Sequence, residues 1–562
     1  MRNMKMMLVA VNAKYIHSNL AVYSLYSYAK EYQDNIIIGE YTINQKNDEI
    51  ISDIYQEKPD VLGFSCYIWN ISQILAIANE LHKVMPQVQI WLGGPEVSYD
   101  AKAVLDNNQV VDGIICGEGE QTFYDMMAYY VDDKNNLADI KGIIWRDESG
   151  SIITNEARMQ LDLNSISFVY ERFPENRIVY YESSRGCPFS CSYCLSSIDK
   201  KLRFKNIDTV KVELQYFLDA KCPQVKFIDR TFNCSHEHAM TIWTYLKEHD
   251  NGVTNFHFEI AADILNDAEV KLLSSLRTGQ VQLEIGVQST NPRTLKSINR
   301  TMDFAKVAQR VNEVQVGRNI HQHLDLIAGL PYEDFESFKQ SFNAVYALQP
   351  QKVQLGFLKV LKGSAMARKV AEYGCQYHSQ PPYEILETKW LKYDDILELK
   401  QIEEMVEIYY NSAQFTKTVP QVVKLFAAPF MFYQELGKFY KVCGYTGVSH
   451  SRMRRYDILL EFLQEVLHVD LAYYKELMLF DLYARENLKK RPPWALEGLK
   501  VKRKRDNMRH FERFNYDIDS EAIIRLDEPM IVEFDYHKRD ALTYNASYKK
   551  VIGDCGSSPQ FH

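Results

Sequence analysis

Short apolar runs alternate with amphipathic stretches through the first 130 positions. Lys5–Val11, Asn35–Gly39, Asp60–Cys66, Val88–Leu92 and Val111–Cys116 read as strands, with apolar residues at helical spacing between them. This alternation predicts an α/β fold with a doubly wound, Rossmann-like parallel sheet, because parallel strands need crossover helices that cover both faces. Ligands of such sheets sit beyond the carboxyl ends of the strands, here the loops Asn12–Asn19, Cys66–Asn70, Gly93–Val97 and Gly117–Glu120. Gly93, Gly94, Gly117 and Gly119 would let backbone approach a large planar or anionic ligand, with ordinary turn chemistry as the alternative. The stretch Gly117 to Thr122 begins like G-x-G-x-x-G but lacks the third glycine. It also follows the last strand of the unit, so a dinucleotide fingerprint is excluded.

A polar connection, Asp147–Asn164, precedes a second series of strands: Ile178–Ser183, Val225–Asp229, Asn255–Ile260, Val281–Val287, His321–Ile327 and Val353–Lys359. Six βα units predict a partial, TIM-like (β/α)6 barrel, whose chemistry belongs on the loops Ser184–Leu195, Arg230–Asn233 and Gln288–Ser289. Beyond Gly374 the spacing turns helical, as in Ile396, Leu399, Ile402, Met405, Val406 and Tyr409, and in Tyr456, Leu459, Leu460, Leu463 and Leu467. Met530–Tyr536 reads instead as a strand followed by a turn. The expected units are 1–150, 170–370 and a mainly helical 375–562.

A length of 562 residues agrees with several domains at roughly 150 residues each. The net charge of −9 gives no overall attraction to nucleic acid or anionic membranes. The one basic run, Lys500–Arg505, reads as a solvated face rather than a nucleic-acid patch. Apolar runs such as Met6–Val11 fall short of the roughly 18 residues a membrane span requires, and the start carries no signal-peptide pattern. Three of the ten cysteines fall within eight residues, which favours a metal centre in a reducing compartment over a disulfide framework. A cytoplasmic location is expected.

Those three, Cys187, Cys191 and Cys194, stand at C-x3-C-x2-C directly after the first barrel strand. Three thiolates on one loop can hold three irons of a 4Fe-4S cube and leave the fourth open to an exogenous chelator. The competing reading is structural zinc, which needs a fourth ligand. The candidates, Cys222 and Cys234, are well separated along the chain.

This spacing, with Tyr193 before the third cysteine, resembles the signature of the radical S-adenosylmethionine (SAM) superfamily. The resemblance implies a 4Fe-4S cluster on Cys187, Cys191 and Cys194 and SAM on the open iron. It further implies one-electron cleavage to a 5′-deoxyadenosyl radical, with an electron donor such as flavodoxin or ferredoxin. It also implies SAM contacts residue by residue: Thr231 in the loop Phe227–Asn233, and Glu259 for a ribose diol or an ammonium. Gln288 in the G-V-Q-S element, Arg300, and Asp325 before the Gly329-Leu330-Pro331 turn complete that set. At Asp229-Arg230 the chain departs from a Gly-Gly pair common in the superfamily.

The first unit, with Gly93-Gly94-Pro95-Glu96 and Gly117-Glu118-Gly119-Glu120, resembles the cobalamin-binding domain of one branch of that superfamily. No D-x-H-x-x-G pattern is present, and His17 is flanked by Tyr15 and Leu20 where that pattern needs Asp and Gly. Cobalamin is therefore expected without a protein histidine on cobalt, His17 being a loop or core histidine. The tail resembles a subfamily domain of unassigned role, DUF4080-like. The resemblance implies a methyltransferase acting on an unactivated carbon of an unknown substrate. The alternatives are a radical enzyme without methyl transfer, or a cofactor-sensing scaffold. A methylthiotransferase would need three more cysteines in the first unit, which has Cys66 and Cys116.

Overall fold

The computed structural model describes residues 4–134, 136–170, 177–495 and 508–551, so the basic run Lys500–Arg505 lies outside the described residues. The first sheet contains β1 Met6–Asn12, β2 Ile36–Thr42, β3 Val61–Ser65, β4 Gln89–Gly93, β5 Gly113–Ile115, β6 Ile143–Arg146 and β7 Ile152–Thr154. Their order is β2-β1-β3-β4-β5-β6-β7, and β1 to β5 are parallel. Every residue of β1 is buried, as a strand covered on both faces must be. Phe64, Ile74, Ile77 and Leu92 pack on one side, and Leu8, Val22, Trp91 and Phe123 on the other. Strand order reverses between β1 and β3, so the loops after them diverge and open a crevice.

One correction concerns the edge. β6 and β7 add an antiparallel hairpin to the parallel sheet, and it straddles the boundary expected at residue 150. Asp147 Oδ1 accepts the backbone N–H groups of Ser149 and Ser151 at 2.9 and 2.8 Å. This side-chain-held turn folds a stretch whose composition reads as linker.

The second sheet contains β8 Val179–Tyr181, β11 Gln224–Phe227, β12 Asn255–Ile260, β13 Val281–Gln288, β14 His321–Ala328 and β15 Lys352–Phe357. All are parallel, in the order β15-β14-β13-β12-β11-β8, giving the six-stranded partial barrel. Between β8 and β11, β9 Ser184–Arg185 and β10 Arg203–Phe204 form a short antiparallel ladder that pinches off the cysteine loop. On β13, Val281, Leu283, Ile285 and Val287 are buried, while the alternate residues Gln282, Glu284, Gly286 and Gln288 are half-buried. That period of two leaves a polar row for the barrel interior.

The barrel is open at β15, and Asn411 closes part of that edge. Its Oδ1 accepts the Val353 N–H at 2.9 Å and its Nδ2 donates to the Val353 carbonyl at 2.8 Å. One amide thus satisfies a strand position that would otherwise be unpaired. Asn411→Leu should lower unfolding free energy by about 1–3 kcal/mol, read by urea denaturation.

Beyond the small hairpin β16 Gln376–Tyr377 and β17 Ile385–Glu387, the helix Tyr393–Val406 buries Ile396, Leu399, Ile402, Met405 and Val406. The helices Pro429–Val442, Arg452–Glu465 and Leu471–Arg485 continue one apolar core with the barrel. The third unit ends in a three-stranded antiparallel sheet, β18 Arg509–Tyr516, β19 Arg525–Arg539 and β20 Ala546–Val551. Met530–Tyr536 lies inside the long middle strand. No helix among the described residues is long and apolar enough to cross a membrane.

Candidate active site

The three cysteines lie on the loop between β9 and β10. Gly186, just before them, has a φ of +100°, and a Cβ there would come 2.5 Å from the Lys201 carbonyl oxygen, so closing this loop requires glycine. The backbone is pinned where Cys187 N–H donates to Asp199 O at 3.0 Å, Ser192 N–H to Ile298 O at 2.8 Å, and Met366 N–H to Ser192 O at 2.7 Å. Cys187 and Cys191 are buried, Cys194 is half-buried, and all three are free thiols. Their sulfurs do not gather within 4.8 Å of one another or with any other ligating group among the described residues. Three thiolates on a single tetrahedral zinc, at about 2.3 Å each, would sit roughly 3.8 Å apart. Structural zinc would need a fourth ligand as well, and no tight ligand group among the described residues includes these cysteines.

Two side chains address these sulfurs. Thr231 Oγ1 is 3.7 Å from Cys187 Sγ. Arg300 donates to Cys191 Sγ at 3.6 Å and to Tyr193 Oη at 3.3 Å, and its other terminal nitrogen bonds the Gly286 carbonyl. A buried guanidinium beside sulfur suits a site that carries negative charge. Burial raises the Tyr193 hydroxyl above its ordinary range, so it stays neutral.

A cavity of about 180 Å³ opens beside the sulfurs, and Tyr193, Thr231, Glu259, Gln288, Arg300 and Asp325 all line it. Gln288 has a φ of +70° at a register shift between β13 and β14. Its amide nitrogen lies 2.3 Å from where a Cβ on Gly286 would be, so the glycine two residues earlier makes room for it. Gln288 Oε1 and Arg300 Nε are buried without a hydrogen-bond partner among the described residues. Orphaned polar atoms facing a cavity fit a polar ligand such as SAM. Glu259, near the carboxyl end of β12, has Lys226 at 4.0 Å and Arg230 at 3.9 Å. Burial pushes its carboxyl up to about 7 despite those cations.

Asp229, at the departure from Gly-Gly, does not line this cavity. Its carboxylate accepts Ser183 N–H at 3.0 Å, Ser183 Oγ at 2.6 Å and Ser184 Oγ at 2.5 Å, tying β11 to the segment after β8. Ser183 Oγ also lies 2.9 Å from His238 Nε2, and burial pushes that imidazole down to about 4. The unfolded chain binds this proton near the ordinary imidazole value of 6.5, so the contribution to stability is lost as pH falls from 6.5 towards 4. The loss amounts to about 3 kcal/mol. Urea titrations at pH 7 and pH 4.5 should show a smaller drop for His238→Gln than for the wild type.

In the first domain an apolar cavity of about 140 Å³ lies between the sheet and the helices Leu20–Tyr28 and Glu120–Asp132. Gly93, Gly94, Gly117 and Gly119 line it with Leu8, Val22, Phe64 and Trp91. Gly117 has a φ of +79°, and a Cβ on it would meet nothing within 4 Å. Gly94 has a φ of +119°, and a Cβ there would come 2.4 Å from the Cys66 carbonyl oxygen. A larger cavity of about 760 Å³ separates these loops from the barrel mouth. Tyr67 and Trp69 stack on its first-domain wall, centroids 4.3 Å apart. A roomy gap bordered by flat rings and glycines, with an apolar slot beside it, fits a corrinoid. His17 lines the gap with its Nδ1 2.6 Å from Tyr180 Oη on the barrel.

Residues that sequence reasoning passed over hold the two domains together. Arg185, two positions before the first cysteine, pairs with Glu120 at 2.9 Å and Glu118 at 3.4 Å. Arg177 pairs with Glu40 at 2.8 Å, and buried Glu96 accepts from Tyr383 Oη at 2.5 Å with Lys362 Nζ at 3.2 Å. Lys226, His257, Glu284 and His323, which stand inside the barrel, were also missed as a group. Their signal was the polar phase of successive strands.

Three family models match successive stretches of the chain. They are described as B12 binding domain over residues 6–126, Radical SAM superfamily over 181–345, and protein of unknown function (DUF4080) over 371–533. The chain carries a B12-binding domain, a radical SAM domain and a DUF4080 domain. The radical SAM methyltransferase TsrM of Kitasatospora setae, solved with cobalamin and a [4Fe-4S] cluster bound, shares the fold at a TM-score of 0.54 and 16% identity, covering 68% of this chain and 79% of that one. The chain is 22% identical to the cobalamin-dependent radical SAM methyltransferase TokK of Streptomyces tokunonensis, over 56% of this chain and 50% of that one. It is 25% identical to the anaerobic magnesium-protoporphyrin IX monomethyl ester cyclase of Rubrivivax gelatinosus, over 56% of this chain and 59% of that one. The chain thus spans little more than half the length of these curated relatives. Among solved structures it resembles the cobalamin-dependent SAM radical enzyme OxsB with aqua-cobalamin and SAM bound. The TM-score is 0.57 at 15% identity, covering 85% of this chain and 79% of that one, a likeness of fold.

Proposed function

We propose that this protein is a cobalamin-dependent radical SAM methyltransferase acting on a carbon that is not activated for polar attack. One observation carries the reading. The large cavity takes its walls from the glycine loops of the B12-binding domain and from the barrel mouth, and it shares Ser196, Arg230 and Glu259 with the cavity beside the cysteines. Both cofactor sites therefore open on one space, which methyl transfer through a short-lived radical requires.

When bound, the cluster and SAM supply a 5′-deoxyadenosyl radical and the corrinoid supplies a methyl group. The residues of the chain bind and orient. Cys187, Cys191 and Cys194 would hold three corners of the cluster, and Arg300, which donates to Cys191 Sγ, would offset its negative charge there. Thr231, Glu259 and Gln288 present an alcohol, a carboxylate and an amide to the polar groups of SAM. Gly93, Gly94, Gly117 and Gly119 would hold the corrinoid, their missing side chains letting backbone approach it. The ion pairs at Arg185 keep the two sites facing each other. A flavodoxin or ferredoxin completes the system as electron donor.

Anaerobically reconstituted protein with SAM, cobalamin and a reductant is expected to form both 5′-deoxyadenosine and S-adenosylhomocysteine, quantified by mass spectrometry. Deoxyadenosine without S-adenosylhomocysteine removes the methyl-transfer half. That outcome would favour the second reading, radical chemistry without methylation, which the likeness to the cyclase supports.

A further inference from the structure

Adjacent barrel strands bring a second set of ligating groups together below the cysteines. Glu259, Glu284 and His323 are register partners across β12, β13 and β14. Asp325, two residues beyond His323, shares its face because strand side chains alternate. One ligand atom from each of Glu284, His323 and Asp325 lies within 4.8 Å of the others. His323 Nε2 is 3.0 Å from Asp325 Oδ1, and His257 Nε2 is 3.0 Å from Glu284 Oε2.

The approach is close, but the geometry is not that of hydrogen bonds. His323 Nε2, Asp325 Oδ1 and His257 Nε2 are all buried without a hydrogen-bond partner among the described residues. His323 is 5% exposed and His257 6%. An imidazole nitrogen and a carboxylate oxygen that face each other at hydrogen-bond distance, misaligned for sharing a proton, are placed like two ligands of one cation. Lys226 Nζ and His257 both address Oε2 of Glu284, which leaves the other oxygen without a partner among the described residues. Glu259, Glu284 and Asp325 put three carboxylates on this part of the barrel, faced by Lys226 and the half-exposed Arg230.

We propose that Glu284, His323 and Asp325 form a site for a divalent metal ion on the floor of the active cavity, separate from the iron–sulfur cluster. One imidazole and two carboxylates make a nitrogen–oxygen donor set suited to Zn²⁺, Mn²⁺ or Fe²⁺, unlike the all-thiolate set above it. Three protein ligands leave a coordination position open. Glu284 and Asp325 line the cavity beside the cysteine loop, so that position faces the reaction space. This assigns Asp325 to the metal rather than to SAM, and it stands whether or not a methyl group is transferred.

The test uses the full chain carrying Cys187→Ala, Cys191→Ala and Cys194→Ala, which removes the cluster, titrated anaerobically with Co²⁺. One equivalent should bind, with visible ligand-field bands and no thiolate charge-transfer band. Adding His323→Ala or Glu284→Gln should weaken binding at least about tenfold while circular dichroism stays that of the parent. A second measurement uses the reconstituted protein with its cysteines intact. It should hold one zinc or manganese equivalent per chain besides cluster iron, lost in His323→Ala with the iron unchanged. Absence of Co²⁺ binding, equal binding by parent and variants, or no metal beyond the cluster iron would overturn the proposal.

Discussion

Cys194→Ala is expected to reduce 5′-deoxyadenosine formation to background and to strip the chain of cluster iron after reconstitution. Cys187→Ala and Cys191→Ala should cost as much, because each removes one of the same three thiolates. The cube would be held at only three corners, so the loss of any one thiolate leaves two. Two cysteines outside the motif, buried Cys222 and half-buried Cys234, serve as the contrast. Burial pushes both Cys222 and Cys234 up to about 11, which keeps them neutral thiols at physiological pH. Cys222→Ala and Cys234→Ala should therefore retain iron and deoxyadenosine formation. Iron analysis and mass spectrometry on the same preparations separate the two groups.

Gly117→Leu should weaken cobalamin binding about ten- to a hundredfold while leaving iron content and SAM cleavage in place. Nothing in the chain lies within 4 Å of a Cβ at Gly117, so a leucine there projects into the space assigned to the corrinoid. Forcing those atoms against a bound ring costs about 1–3 kcal/mol, or about one to two decades of affinity. The φ of +79° adds strain of about 1–3 kcal/mol to the fold, so the thermal midpoint should drop as well. Gly94 behaves differently. Its added side chain meets the Cys66 carbonyl, and Gly94→Leu should fail to fold rather than fail to bind. Equilibrium dialysis with cobalamin, set beside thermal melts, distinguishes the two outcomes.

The parts of the fold legible in the sequence are those in which one strand or helix carries its own signal. The fully buried strand Met6–Asn12, the alternation along Val281–Gln288 and the apolar row from Ile396 to Val406 are local patterns with a single structural solution. The cysteine motif and the residues singled out around it were legible as types, and all of those in the barrel reach one cavity. What escaped depends on pairing between distant segments. The β6–β7 hairpin hides in a polar linker because Asp147 rather than apolar alternation organises its turn. Asn411 closes the β15 edge from 58 residues away, and no local pattern announces that. The inward polar residues Lys226, His257, Glu284 and His323 are each visible as the odd phase of a strand. That they meet is a matter of register, set by neighbours across the sheet.

The most direct test of the central claim is the anaerobic absorption spectrum of the reconstituted protein, with iron, sulfide and cobalt measured on the same sample. The account predicts a cluster's broad charge-transfer absorption with matching iron and sulfide, and superimposed corrinoid bands that bleed away in Gly117→Leu. Zinc bound by Cys187, Cys191 and Cys194, or no metal after reconstitution, would contradict it.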